Sequence, residues 1–86
     1  MSLERVHLEV LRYLYDNLPE DEYVQGDISR KILFKSVNFK SRQIEKACKE
    51  LGEHGYVRFQ SGFYKKEWAS LSISDKGMDY VERMES

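Results

Sequence analysis

The sequence predicts an α+β fold: a three-helix core, a small antiparallel sheet of two strands, and a closing C-terminal helix. Three observations predict it. Apolar residues recur at helical spacing over 3–18, 28–34 and 41–54. The period then switches to strand-like alternation at Tyr56 and again at Ala69, with a turn signal at Ser61-Gly62 between. Helical spacing returns after Ser74. Eighty-six residues with 41% hydrophobic content suit one domain, 1–86, with a single modest core.

The first helix spans Leu3 to Leu18, where Leu3, Val6, Val10, Leu14 and Leu18 keep helical spacing and Ser2 can cap. Pro19 stops it, because the residue before a proline is pushed out of the α region. Leu8, Leu11, Tyr15 and Leu18 form a second apolar row, so the apolar surface is wider than the stripe of about 100° that one core needs. That row has two readings: a helix buried on two sides in its own fold, or a dimer contact. Glu20 to Gly26 is an acidic connector in which Tyr23-Val24-Gln25 can add a third, edge strand. Asp27 suits an N-cap for a helix from Ile28 to about Phe34, with Ile28, Ile32 and Leu33 inward. Lys35 to Lys40 is a turn, pinned by Val37 and Phe39, in which Asn38 can take left-handed geometry.

Ser41 is the expected cap of the third helix, and Gly55 its left-handed C′ residue, followed by Tyr56 over Leu51. Val57 and Phe59 share one face of a strand over 56–60. Ala69, Leu71 and Ile73 share the buried face of the next, leaving Trp68 on the other side, either under the hairpin tip or serving a partner. The connecting loop Ser61–Glu67 holds Phe63, Tyr64, Lys65 and Lys66. Ser74 caps the last helix, Asp75 to about Met84, with Ile73 and Met78 as a hydrophobic staple and Met78, Val81 and Met84 inward. Gly77, unfavourable by about 1 kcal/mol in a helix relative to alanine, permits close approach to the strands.

The third helix carries the functional signal. Ile44, Ala47, Cys48 and Leu51 fall on one face, while Arg42, Lys46 and Lys49 gather near the opposite one, with Glu53 behind them. The whole chain has a net charge of −1, but the charge is unevenly placed. Residues 1–27 hold two basic against seven acidic side chains, residues 28–50 seven basic against two acidic, and residues 51–86 five against six. A cationic middle third on a near-neutral domain speaks about partners more than the total does. The bland reading of such a run is a solvated helical face. Glu45–Lys49 and Lys49–Glu53 also have the i,i+4 spacing of helix-stabilising pairs, which would temper attraction to phosphate.

Other classes find little support. No apolar run approaches 18 residues, and no basic segment followed by an apolar run opens the chain, so neither a membrane span nor a signal peptide is expected. A single cysteine suits a reducing cytoplasm and makes no internal disulfide. Cys48 is expected in the core, and with His7 and His54 it has no metal spacing. There is no Gly-rich phosphate loop and no nucleophile–base pair, so no enzyme and no cofactor are expected.

In order and spacing, the chain resembles a winged helix-turn-helix domain over nearly its whole length. Two motifs carry the resemblance. Ser41-Arg-Gln-Ile44-Glu-Lys-Ala-Cys48-Lys-Glu-Leu51-Gly-Glu-His-Gly55-Tyr-Val57 is similar to the recognition helix of MarR-like and related bacterial and archaeal regulators. Leu71-Ser-Ile73-Ser-Asp75-Lys-Gly77 resembles the entry to the helix after the wing. The chain is shorter than a full MarR protein, and the resemblance does not extend to the long terminal helices that build that family's dimer.

The resemblance implies duplex-DNA binding by a cytoplasmic transcriptional regulator. The helix at about 41–54 would lie in the major groove and the wing, about 61–67, on the backbone or minor groove. Matched by position, Arg42, Gln43 and Lys46 would face base edges or nearby phosphates. Lys31, Lys40, Ser41 and Lys49 would be phosphate contacts, and Lys65 and Lys66, with Arg58 near the base, would be the wing contacts. A homodimer through Leu8, Leu11, Tyr15 and Leu18 would complete such a regulator. The alternative is a winged-helix protein-interaction module without DNA binding, using the first helix and the Trp68 face for a protein partner. Lysines at a hairpin tip also serve solubility alone.

Overall fold

The computed structural model describes residues 2–19, 26–61 and 68–85. The proposed strand Tyr23-Val24-Gln25 and the hairpin tip with Lys65 and Lys66 lie outside the described residues.

The first apolar repeat forms α1 (Arg5–Asp16), shorter at both ends than its spacing suggests. Its N-cap is Glu4 rather than Ser2, because His7 Nδ1 accepts the Glu4 backbone N–H at 3.0 Å. It stops before Pro19 can act: Asn17 is the C-cap, and its side-chain amide donates to the Tyr13 carbonyl at 2.8 Å. Val10, Leu11 and Leu14 are fully buried. Leu11 therefore has no surface left for a dimer contact, whereas Leu8, Tyr15 and Leu18 are half-buried.

Among the described residues the sheet has three strands. β1 (Ile28–Ser29) pairs antiparallel with β3 (Trp68–Ile73), which also pairs with β2 (Val57–Ser61), in the order β1-β3-β2. Ile28 lies opposite Leu71, so it is spent on the sheet and the next helix starts two residues later than expected. That helix is α2 (Arg30–Ser36), capped by Ser29 in place of Asp27: Ser29 Oγ accepts the Ile32 N–H at 3.2 Å. This register buries Leu33 and turns Ile32 outward, 51% exposed. The corner after α2 needs no left-handed residue. Val37 N–H bonds Leu33 and Phe39 N–H bonds the Val37 carbonyl at 2.9 Å, a three-residue turn about Asn38 that a negative φ satisfies. Gly55 alone among the described residues has a positive φ, +79°.

α3 (Ser41–Glu53) ends as expected. The Tyr56 N–H reaches back to the Leu51 carbonyl at 2.9 Å and the Gly55 N–H to Gly52 at 3.2 Å, the paired closure that a left-handed C′ glycine allows. Ser74 then ties this corner to α4 (Asp75–Glu85): its Oγ donates to the Gly55 carbonyl at 2.6 Å and accepts the Gly77 N–H at 3.2 Å. A Cβ on Gly77 would collide with the Tyr56 carbonyl oxygen and sit 2.6 Å from Ile73 Cγ1, so the close approach is real. Val81 faces the core, but Met84, 54% exposed, has run past it.

The strand alternation holds at Val57, Leu71 and Ile73 and fails at one bulge. Gln60 pairs with Ser70 but Ser61 with Trp68, so Ala69 is an extra residue on β3. Ala69 is exposed rather than buried. One inserted residue reverses which face the next side chain takes. Trp68 thereby turns to the helix side, the side of Leu71, not away from it. Phe59, 37% exposed, is its neighbour there and covers Gly52 of α3.

Candidate nucleic-acid interface

α3 is divided as its sequence spacing dictates. Ile44, Ala47, Cys48 and Leu51 are buried against α1 and the sheet. Arg42, Lys46 and Lys49 are all exposed on the opposite side, at i, i+4 and i+7. Among the described residues no acid lies within ion-pair distance of any of the three. The two i,i+4 pairs suggested by spacing, Glu45–Lys49 and Lys49–Glu53, are not formed there.

Two of the three acids of α3 have been drawn away from the stripe, while Glu53 in its last turn stays exposed. Glu45 Oε2 meets Arg30 Nη1 at 2.7 Å, and its Oε1 accepts the indole N–H of Trp68 at 3.2 Å. The two facing atoms of the ion pair are shut off from solvent and lack a directed hydrogen bond, so it is their opposite charge that compensates the burial. The Arg30 guanidinium lies 4.9 Å from the ring centres of both Phe34 and Trp68. Phe34 and Phe59 flank the indole at 6.2 and 5.2 Å. Glu50 turns toward α1, where Oε1 lies 3.1 Å from Nε2 of the buried His7. Since His7 Nδ1 accepts the Glu4 N–H, the proton that Nε2 carries points at Glu50.

The start of α3 adds to the cationic surface. Lys40, not Ser41, is its N-cap, and Ser41 is its first residue; both are exposed beside unpaired helix N–H groups. Gln43 Oε1 accepts the Lys40 N–H at 3.2 Å, closing the first turn. A glutamine that reads adenine needs both its carbonyl and its amide. Gln43 has its carbonyl engaged by the cap, so a two-bond contact to adenine would have to share or release that bond. Lys31 is exposed in the first turn of α2, where a cation opposes the helix dipole and an anion would relieve it. Arg58 stands apart. With Val57 and Phe59 directed to the helices, it lies on the outer sheet face, in a groove with Leu18, Gly26 and Ser72. The wing lysines 65 and 66 lie outside the described residues.

Arg30 was not singled out by sequence reasoning, nor was the bond of Trp68 to Glu45. The i,i+4 spacing of Arg30 and Phe34 was visible, but the bulge that delivers Trp68 to them was not. Cys48 is a core residue. Burial first, and then the Glu45 charge, push its thiol from 9.0 up to about 12, against a smaller opposing pull from Arg30. No metal-binding cluster occurs among the described residues, and none of their helices is long and apolar enough to cross a membrane.

No family model and no curated protein matches the chain. Solved structures do. NMB1585, a MarR family regulator from Neisseria meningitidis, superposes with a TM-score of 0.73 at 19% identity, over 96% of this chain and 53% of that one. The MepR–DNA complex from S. aureus gives 0.74 at 12% identity, over 96% and 62%. AF1382 from Archaeoglobus fulgidus gives 0.71 at 16% identity, over 96% and 84%. At such identities the likeness is one of fold: this chain has the winged helix-turn-helix fold that MarR-family regulators use, and it spans 53% of NMB1585 and 62% of MepR.

Proposed function

We propose that this winged-helix chain binds duplex DNA and acts as a transcriptional regulator, with α3 in the major groove. One observation carries the proposal: Arg42, Lys46 and Lys49 are exposed on α3 while Glu45 and Glu50 of the same helix are engaged elsewhere. Arg42, in the first turn of the helix, is placed for a base edge, since the first turns of a recognition helix reach deepest. Lys46 and Lys49 flank it for phosphates, and Lys40, Ser41 and Lys31 extend the phosphate track at two helix starts. Lys65 and Lys66 would add a wing contact, and Gln43 a base contact on sharing or releasing its cap. Two copies would set two α3 helices in successive major grooves, with Leu8, Tyr15 and Leu18 as the candidate contact. A cytoplasmic protein is the setting that fits this role. A likeness of fold to a MepR–DNA complex supports the proposal without transferring MepR's site.

The test is fluorescence anisotropy with a random-sequence duplex at several salt concentrations, on the parent and on Arg42→Ala/Lys46→Ala. The variant should lose at least about tenfold in affinity, and its log–log salt slope should shrink by about 0.9, the one phosphate contact of Lys46. Circular dichroism checks that the fold survives. Equal binding by variant and parent would show that α3 is not the groove helix.

A further inference from the structure

Simple electrostatics gives Glu45 a negative role. An acid in a recognition helix, between Arg42 and Lys49, repels phosphate and is better replaced by a neutral residue. Its surroundings contradict that. Both carboxylate oxygens are used, one by Arg30 at the start of α2 at 2.7 Å and one by Trp68 at the base of the wing hairpin at 3.2 Å. Three elements thus meet at one side chain: the first helix of the helix-turn-helix pair, the second, and the strand that leaves the wing. The rings complete the junction. Arg30 is held between Phe34 and Trp68, and Phe59 of the partner strand lies against the indole. The bulge at Ala69 is what turns Trp68 into this position, so the strand irregularity and the acid serve one contact.

We propose that Glu45 is a positioning residue that sets the angle between the recognition helix and the wing by holding Trp68 and Arg30 together. The consequence for DNA rests on the duplex-binding reading above. Trp68 opens β3 opposite Ser61, so a rotation there reorients the end of the sheet from which the wing departs. A helix and a wing that must touch the same duplex need that angle set beforehand, because binding otherwise bears the cost of ordering it. Repulsion and positioning predict opposite signs for the same substitution. Glu45→Gln removes a negative charge beside the cationic stripe and keeps an acceptor for the indole, but it releases Arg30.

The experiment combines anisotropy with acrylamide quenching of Trp68, the only tryptophan in the chain. It uses the parent, Glu45→Gln, Arg30→Gln and the double variant Arg30→Gln/Glu45→Gln, whose net charge equals the parent's. Positioning predicts that Glu45→Gln binds duplex about fivefold more weakly, the equivalent of about 1 kcal/mol, with Trp68 quenched more readily. The double variant should lose no more than the weaker-binding single variant on either readout, the non-additivity of a coupled pair. Tighter binding by Glu45→Gln with unchanged quenching would overturn the proposal and leave a repelling acid. Failure of the parent to bind any duplex would refute the DNA reading alone. The quenching series would still decide the junction, and equal quenching of parent and Glu45→Gln would overturn it.

Discussion

α1 and α3 are the two longest helices, 12 and 13 residues, and both bury one apolar face in the same core. Their outward faces differ in how they handle charge. On α1 each arginine has an acid one turn away: Arg5–Glu9 at 3.8 Å and Arg12–Asp16 at 3.2 Å. α4 follows the same plan with Asp79–Arg83 at 3.0 Å. On α3 the residues one turn apart on the outer face are both cations, Arg42 and Lys46, while Glu45 and Glu50 are held by Arg30 and His7 on other elements. A helix with mixed charges becomes neutral or cationic according to where its acids are anchored, not how many it has. The anchoring partners belong to other elements, so this property of α3 is a tertiary one.

The sharpest contrast lies across α3 itself, and the largest expected effect tests its inner face. With its thiol near 12 instead of 9.0, native Cys48 should carry about a thousandfold less thiolate than an unburied cysteine. Labelling by a thiol reagent at pH 8 should therefore proceed only through unfolding and track urea concentration. The sign for stability follows. Between pH 9 and about 12 the unfolded thiol gives up its proton and the folded one keeps it, so stability falls as pH rises through that window. A Cys48→Ala variant should lose that alkaline component, whatever its packing defect at neutral pH. Rapid stoichiometric labelling of the native protein would mean that this face of α3 is open.

The next effect divides the second apolar row of α1 into its buried and half-buried members. Leu11 is fully buried and Leu8 half-buried, so Leu11→Ala should cost about 3 kcal/mol in a urea melt and Leu8→Ala less than about 1 kcal/mol. If the two cost the same, the half-buried members are covered in solution by a second copy, and light scattering would show twice the monomer mass.

Much of this was legible in the sequence because local rules decide it. The burial of Ile44, Ala47, Cys48 and Leu51 follows from spacing alone, and Gly55 and Ser74 act as the corner and cap that their residue types announce. The stripe was readable for the same reason: residues opposite a buried face must be exposed. What escaped depended on partners distant in sequence. Ile28 went to the sheet because Leu71 was there to pair with it, which displaced the α2 cap from Asp27 to Ser29 and exposed Ile32. Trp68 changed faces because one strand holds a residue that the other lacks. Glu45 had a plausible lysine partner one turn away in Lys49, and a pair that weak, about 0.2–0.5 kcal/mol, yields readily to a partly buried one. The site was thus visible as a set of cations, while the reason that they stay unneutralised was not.

The smallest effect is the most direct challenge to the contrast between the helices. Arg5→Ala/Arg12→Ala removes as many cations as Arg42→Ala/Lys46→Ala, and both pairs sit on exposed helical surface. If net charge alone governed attraction to DNA, the two double variants would weaken binding alike. If anchoring governs it, the α1 cations are already cancelled by Glu9 and Asp16 within their own helix, and their removal takes no cation from the exposed stripe of α3. Affinity should then change by no more than about twofold at moderate salt, with no change in salt slope, and stability should drop by about 0.3–0.5 kcal/mol per pair. A loss of slope comparable to that of the α3 variant would place α1 on the duplex and take the exposed stripe of α3 out of its leading role.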